Sequence, residues 1–203
     1  MKLGVRGLVT AAALAVLALA LMGGAEARAA SKPNAIDRAF VREMVPHHQM
    51  AVEMAGMAQT QGEHAEIKTL AASVIKDQNA EIRMLRKIAR RLGVTPASED
   101  DHERMMKDAD TLGLTMDQMS MSMDMDELDG AKPFDRKFID MMVMHHQGAI
   151  RMARVERAKG RDAHLRRIAR AIIVAQAREI RQMNAWRQQW YGATSPSGGM
   201  PKP

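Results

Sequence analysis

Two adjacent histidine pairs, His47-His48 and His145-His146, are each followed by glutamine and set among methionines. Around His47, Met44 stands at i−3, Met50 at i+3 and Met54 at i+7; around His145, Met142 stands at i−3, Met141 at i−4 and Met152 at i+7. Residues three, four and seven apart share a helix face, so imidazoles and thioethers can converge there. A third group of soft donors lies between the pairs, where Met116, Met119, Met121, Met123 and Met125 alternate with Ser, Asp and Gln. Thioether sulfur selects Cu(I) and also accepts Ag(I), while imidazole takes Cu(I), Cu(II) and Zn. Cysteine is absent although the chain holds 20 methionines. That excludes thiol nucleophiles, disulfides and zinc ribbons, and it points to copper as the ion these donors suit.

An internal repeat positions the donors. A shift of 98 residues aligns Asp37-Arg38 with Asp135-Arg136 and His47-His48-Gln49 with His145-His146-Gln147. The same shift, without a gap, aligns Met54-Ala55 with Met152-Ala153, Gln78 with Gln176, and Glu81-Ile82-Arg83 with Glu179-Ile180-Arg181. In each repeat two helical patterns meet at a glycine. Phe40, Met44, His47, Ala51, Met54 and Ala58 make one apolar row, widened by Val41, Val45, His48, Val52 and Ala55. The second helix follows Ile67, Leu70, Val74, Gln78, Ile82, Leu85 and Leu92 and stops at Gly93. One such hairpin cannot hide its own apolar face, so two must pack together. The fold expected is all-α, a four-helix bundle. Repeat one covers 35–93 and repeat two 133–191. A connection at 95–132 is long enough to cross the end or side of the bundle, and a disordered tail follows at 192–203.

The hairpin also sets the neighbours of the histidines. His48 lies 14 residues before Gly62 and Gln78 lies 16 after it, so the two stand abreast, with Glu81 about one turn further along. Gln176 and Glu179 repeat this beside His146. A Gln or Glu facing a buried His fixes its tautomer in a metal site, but it can equally clamp a metal-free core. Both readings stay open on the sequence.

The first residues read as an export leader. Lys2 and Arg6 precede an apolar run, Leu8 to Met22, which is shorter than the roughly 20 residues a bilayer span needs. Small-x-small cleavage patterns follow at Ala25-Glu26-Ala27 and Ala27-Arg28-Ala29, giving a leader at 1–29 and a mature chain in the periplasm or outside the cell. The whole chain carries a net charge of +6, and losing Lys2, Arg6 and Arg28 together with Glu26 lowers it to +4. Export makes nucleic acid an unsuitable partner for this basic chain. Membrane contact is expected only through the leader before cleavage.

The stretch Phe-Asp-Arg-x-Phe-Ile-Asp-Met-Met-Val-Met-His-His-Gln-Gly-Ala-Ile-x-Met-Ala from Phe134 resembles the domain-of-unknown-function family 305. So does its continuation from Ile168 to Trp186, Ile-Ala-x-x-Ile-Ile-x-x-Gln-x-x-Glu-Ile-x-x-Met-x-x-Trp. A degenerate partner from Ile36 to Leu92 completes the domain, here 34–191. The resemblance implies a ferritin-like four-helix bundle in exported bacterial proteins, some of which bind copper and contribute to copper tolerance. It makes the histidine pairs and their neighbouring methionines the ligands. Repeat one departs from the motif, with Pro46 before the pair and Met50 where the family commonly has Gly, so Met50 is an added candidate donor.

The function expected is sequestration of Cu(I), or its transfer to a copper-transfer protein, with the metal ion itself as ligand. The alternative is a metal-free structural or partner-binding bundle of the envelope. An enzyme is not expected: ferritin-like di-metal oxidases use Glu-x-x-His, and here Glu43 stands at i−4 from His47.

Overall fold

The computed structural model describes residues 32–98 and 101–202. The leader read at 1–29 lies outside them. Four long helices, α1 (Ala35–Gln61), α2 (Ala65–Leu92), α5 (Phe134–Lys159) and α6 (Ala163–Tyr191), form the bundle. Between them run α3 (His102–Leu112), α4 (Met116–Met119) and a 3-10 turn at Met125–Glu127. No strand occurs among the described residues, and no helix there is long and apolar enough to cross a membrane.

Helix ends follow local chemistry. Asn34 caps α1 in a capping box with Asp37, and Asp162 caps α6 by accepting from His164 N and Leu165 N. Gly93 closes α2 in the left-handed conformation, φ 62°. α1 packs on α2 and on α5, and α5 packs on α6. Asn34 Nδ2 donates to Lys159 O, so the start of α1 lies against the end of α5 and the two run antiparallel.

The repeat-equivalent aspartates hold the hairpins to each other. Asp37 accepts Arg161 N at 2.9 Å and Asp162 N at 2.8 Å, in the α5–α6 turn. Asp135 accepts Glu63 N at 2.9 Å and His64 N at 2.8 Å, in the α1–α2 turn. Each carboxylate is fully buried and offsets its desolvation by collecting backbone donors of the other hairpin.

The core falls into two apolar clusters. One holds Phe40, Met44, Leu85, Met152 and Leu165; the other holds Met54, Ile67, Phe138, Met142 and Ile180. The histidines lie between them in sequence on both central helices. Polar side chains therefore form a waist across the bundle.

The connection is docked at α1 on one side and at α5 on the other. Pro46 sits inside α1 and has no N–H to give Arg42 O; that carbonyl instead accepts Ala97 N at 3.1 Å. Arg42 Nη1 reaches both Asp108 oxygens, at 2.6 and 2.7 Å, and fastens α3 to α1. At the other side a Cβ on Gly148 would stand 2.2 Å from Met119 O, so only glycine lets the α4 backbone lie on α5. Ser120 Oγ donates to Met144 O there at 2.8 Å.

The tail differs from its sequence expectation. Asn184 Nδ2 donates to Gly198 O at 2.8 Å, Gln147 Nε2 to Gly199 O at 2.6 Å, and Arg154 Nη1 to Pro201 O at 2.6 Å. Polar donors on α5 and α6 thus gather the tail's carbonyls and seat it on the bundle, which composition alone did not reveal.

Candidate metal centre

The antiparallel pairing of α1 and α5 brings His47 and His145 face to face, with ring centroids 3.7 Å apart and planes tilted by 32°. Each lies 6.3 Å from the outer histidine of its own pair. All four rings have no solvent exposure.

Inner and outer rings differ in their partners. His48 Nε2 lies 2.7 Å from Glu81 Oε2, and His146 Nε2 lies 2.6 Å from Glu179 Oε2. With Nε2–H donating to the carboxylate, Nδ1 of each outer ring keeps its lone pair, and neither Nδ1 has a hydrogen-bond partner. Neither nitrogen of the inner rings completes a hydrogen bond, although the backbone of Met119 and of His145 comes close to His47, and that of His47 to His145. Burial pushes His47 and His145 well below the usual histidine range, and the neighbouring histidines add to the effect. The inner rings are therefore neutral, each with an open lone pair in a dry core. An orphaned buried polar group costs about 1–3 kcal/mol, which a metal ion would relieve. Glu81 and Glu179 do the orienting. Gln78 and Gln176 are buried, but Gln78 Oε1 and both amide atoms of Gln176 lack partners.

The methionines sort by depth. Met44, Met54, Met142 and Met152 are fully buried. Met44 and Met152 share the cluster on one side of the histidine waist, and Met54 and Met142 share the other. At about 1.5 Å per residue, Met44 and Met142 stand roughly 5 Å along the axis from the inner rings, and Met54 and Met152 roughly 10 Å.

Of the five methionines from Met116 to Met125 in the connection, one is fully buried and four are half-buried. Met119 has no exposure and packs in the core, and Met116 and Met121 are half-buried against the same cluster. Its main chain comes to the His47 ring, where it opposes part of the fall in the ring's pKa. Asp117, Gln118, Ser122 and Asp124 between the methionines stay outside, on a short helix and turns, whereas Ser120 is buried against Met144 O.

Beside this segment lies a cleft of about 410 Å³ lined by Met50, Met105, Met116, Met121, Met123 and Met125, together with His102, Glu53 and Pro46. His102 and Met105 were not counted among the donors on sequence grounds; their signal was a spacing of three on α3. The two departures of repeat one now have a place. Pro46 and Met50 line the cleft, whereas the equivalent of Met50 in repeat two, Gly148, carries the α4 backbone. Among the described residues, no three His, Cys, Asp or Glu side chains are grouped to hold a metal ion.

Two buried acids were also missed. Glu43 has both oxygens unpartnered and is raised to about 8 by burial and by Asp108 beside it. Glu156 lies over Gly160 and is raised to about 9 by burial and by Asp37. Each is a neutral carboxyl against a carboxylate at neutral pH.

No curated protein sequence matches the chain significantly. Solved structures do. CopM in its Cu(I)-bound form is 34% identical, with a TM-score of 0.64 over 77% of this chain and 98% of its own. CopM in an Ag-bound form, obtained by soaking, is 32% identical, with a TM-score of 0.62 over 77% and 97%. A DUF305 protein from Streptomyces coelicolor is 25% identical, with a TM-score of 0.66 over 79% and 96%. The first two of these structures hold a metal ion, and the third is a DUF305 protein. The sequence model of that family covers residues 37–199, and the chain belongs to the family described as Domain of unknown function (DUF305).

Proposed function

We propose that this is an exported copper-binding protein that sequesters Cu(I) or hands it to a copper-transfer protein. The observation that carries the reading is the inner pair. His47 and His145 meet at 3.7 Å with every ring nitrogen unpartnered and no solvent to satisfy them. Met44 and Met142 lie nearest along the helices, and Met54 and Met152 further out. The half-exposed thioethers Met50, Met116, Met121, Met123 and Met125 are the first donors an incoming ion meets. Met119 links the cleft to the His47 ring. A route from surface sulfur to buried imidazole needs no charged carrier, because Cu(I) is soft and sheds water readily among thioethers. Similarity to CopM, solved with Cu(I) and with Ag bound, supports the choice of ion.

His48 and His146 have a second reading. Their bonds to Glu81 and Glu179 are complete without metal, which favours a structural role for the outer rings. Anaerobic titration with Cu(I) against a competing chelator tests both. Tight stoichiometric binding is expected, weakened strongly by His145→Leu and much less by Glu179→Gln. Weak binding in the unsubstituted protein would leave the metal-free bundle as the function.

A further inference from the structure

The outer face of α6 is a stripe of arginine. Arg167, Arg170, Arg178 and Arg181 are exposed at spacings that put them on one side of the helix, opposite buried Leu165, Ala169, Ile172 and Ile180. The stripe runs about 21 Å at 1.5 Å per residue. In its middle stands Val174, 71% exposed. The only acid on α6 is Glu179, turned inward to His146. The C-terminal third of α2 extends the same character. Arg83, Lys87 and Arg90 are exposed, and no acid follows Glu81 on that helix. Among the described residues, none of these seven cations enters an ion pair.

The two stripes share one end of the molecule. Arg91 Nη2 reaches Asp162 Oδ2 at 2.6 Å, which sets the end of α2 beside the start of α6. α1 begins there too, since Arg38 Nη1 donates to Leu92 O and Asn34 Nδ2 to Lys159 O. The chain carrying the apolar run Leu8–Met22 therefore enters the fold at the basic end. The cleft beside Met50 and Met116, and another lined by Asp140, Met144 and Ser195, lie elsewhere, among residues of α1, α3, α5, the connection and the tail.

We propose that the outer face of α6, with the adjoining third of α2, docks on an anionic phospholipid surface. Guanidinium groups bind phosphate oxygens in pairs, and six of the seven cations are arginine. A long row of them along one helix fits a plane of phosphodiesters better than a protein knob. Val174 in mid-row is placed to enter the headgroup layer. This departs from the expectation that only the leader touches the membrane, and it does not depend on the copper reading.

The test is flotation of the purified processed protein with vesicles of phosphatidylcholine alone and of phosphatidylcholine with phosphatidylglycerol. Binding is expected only to the anionic vesicles, falling as salt rises. Replacing Arg167, Arg170, Arg178 and Arg181 with Gln should weaken it on the order of several hundredfold, since each cation near such a surface contributes about fivefold. Arg83→Gln with Lys87→Gln and Arg90→Gln should weaken it less and serves if the first variant folds poorly. Circular dichroism and Cu(I) stoichiometry should be unchanged in both. Equal binding to neutral vesicles, or unchanged binding by both variants, would overturn the proposal. So would displacement by polyglutamate at lower charge concentration than the lipid, which would assign the stripe to an acidic protein.

Discussion

Replacing His47 and His145 with leucine separates the demands of folding from those of binding. The two rings carry four nitrogens without partners in a fully buried site. At about 1–3 kcal/mol per orphaned group, and with leucine close to histidine in volume, the double variant removes a penalty and adds apolar contact. Allowing for imperfect repacking, the metal-free protein should gain roughly 1–3 kcal/mol. For a bundle of this size that is about 2–10 °C in Tm. The unsubstituted protein should instead gain about 2.7 kcal/mol when free Cu(I) stands at a hundred times Kd, and the variant should lose most of that gain. Anaerobic thermal denaturation by circular dichroism, with and without Cu(I), reads both quantities. A destabilised metal-free variant would mean that the inner nitrogens are satisfied in solution. An undiminished copper shift would mean that methionines alone hold the ion. Either result would refute the argument from orphaned imidazoles.

The remaining predictions rest on other contacts. Glu156→Gln should stabilise the protein at pH 7 on the order of 1–2 kcal/mol: with a folded pKa near 9, the carboxyl favours the fold least above that value, and stability drops as pH rises from about 4.5 toward 9. The variant's denaturation midpoints should vary less with pH across that window; an unchanged slope would show Glu156 ionised in the fold. Gly148→Ala should dislodge the α4 backbone and cost roughly 1–3 kcal/mol, with loss of Cu(I) bound at the cleft; neutral denaturant unfolding would contradict the close approach to Met119 O. Met119→Ala should cost about 2–5 kcal/mol as a core cavity, whereas Met123→Ala with Met125→Ala should cost about 1 kcal/mol or less and mainly lower Cu(I) stoichiometry. Asp37→Asn and Asp135→Asn should each lose about 1–3 kcal/mol by weakening a bond set between the hairpins, measured by urea unfolding.

Much of the bundle was legible because helices write their buried faces at a fixed period. The row Phe40, Met44, His47, Ala51, Met54 and Ala58 is buried throughout, and Gly62, Gly93 and Gly160 stand where helices end. The register of His48 against α2 was also legible, to within the choice between Gln78 and Glu81. What the period does not encode is which faces of different helices meet. The stacking of His47 on His145 depends on α1 and α5 running antiparallel, a relation between segments 98 residues apart. The burial of Met119 depends on a bare patch at Gly148, which the sequence presents only as one more glycine. The tail's order comes from side-chain donors on α5 and α6 reaching backbone carbonyls, and composition carries no trace of that.

The facing of His47 and His145 places the centre where the two hairpins mirror each other by rotation, and this bears on traffic. Seen from such a centre, the hairpins offer the same imidazole, thioether and carboxylate from both sides, so they give an ion no preferred direction. The connection alone has no counterpart, and it brings its sulfurs to one flank only. Loading and unloading would then share a single gate, and the order of events would be set by whichever molecule waits at that flank. A storage protein and a courier could differ in nothing more than that visitor.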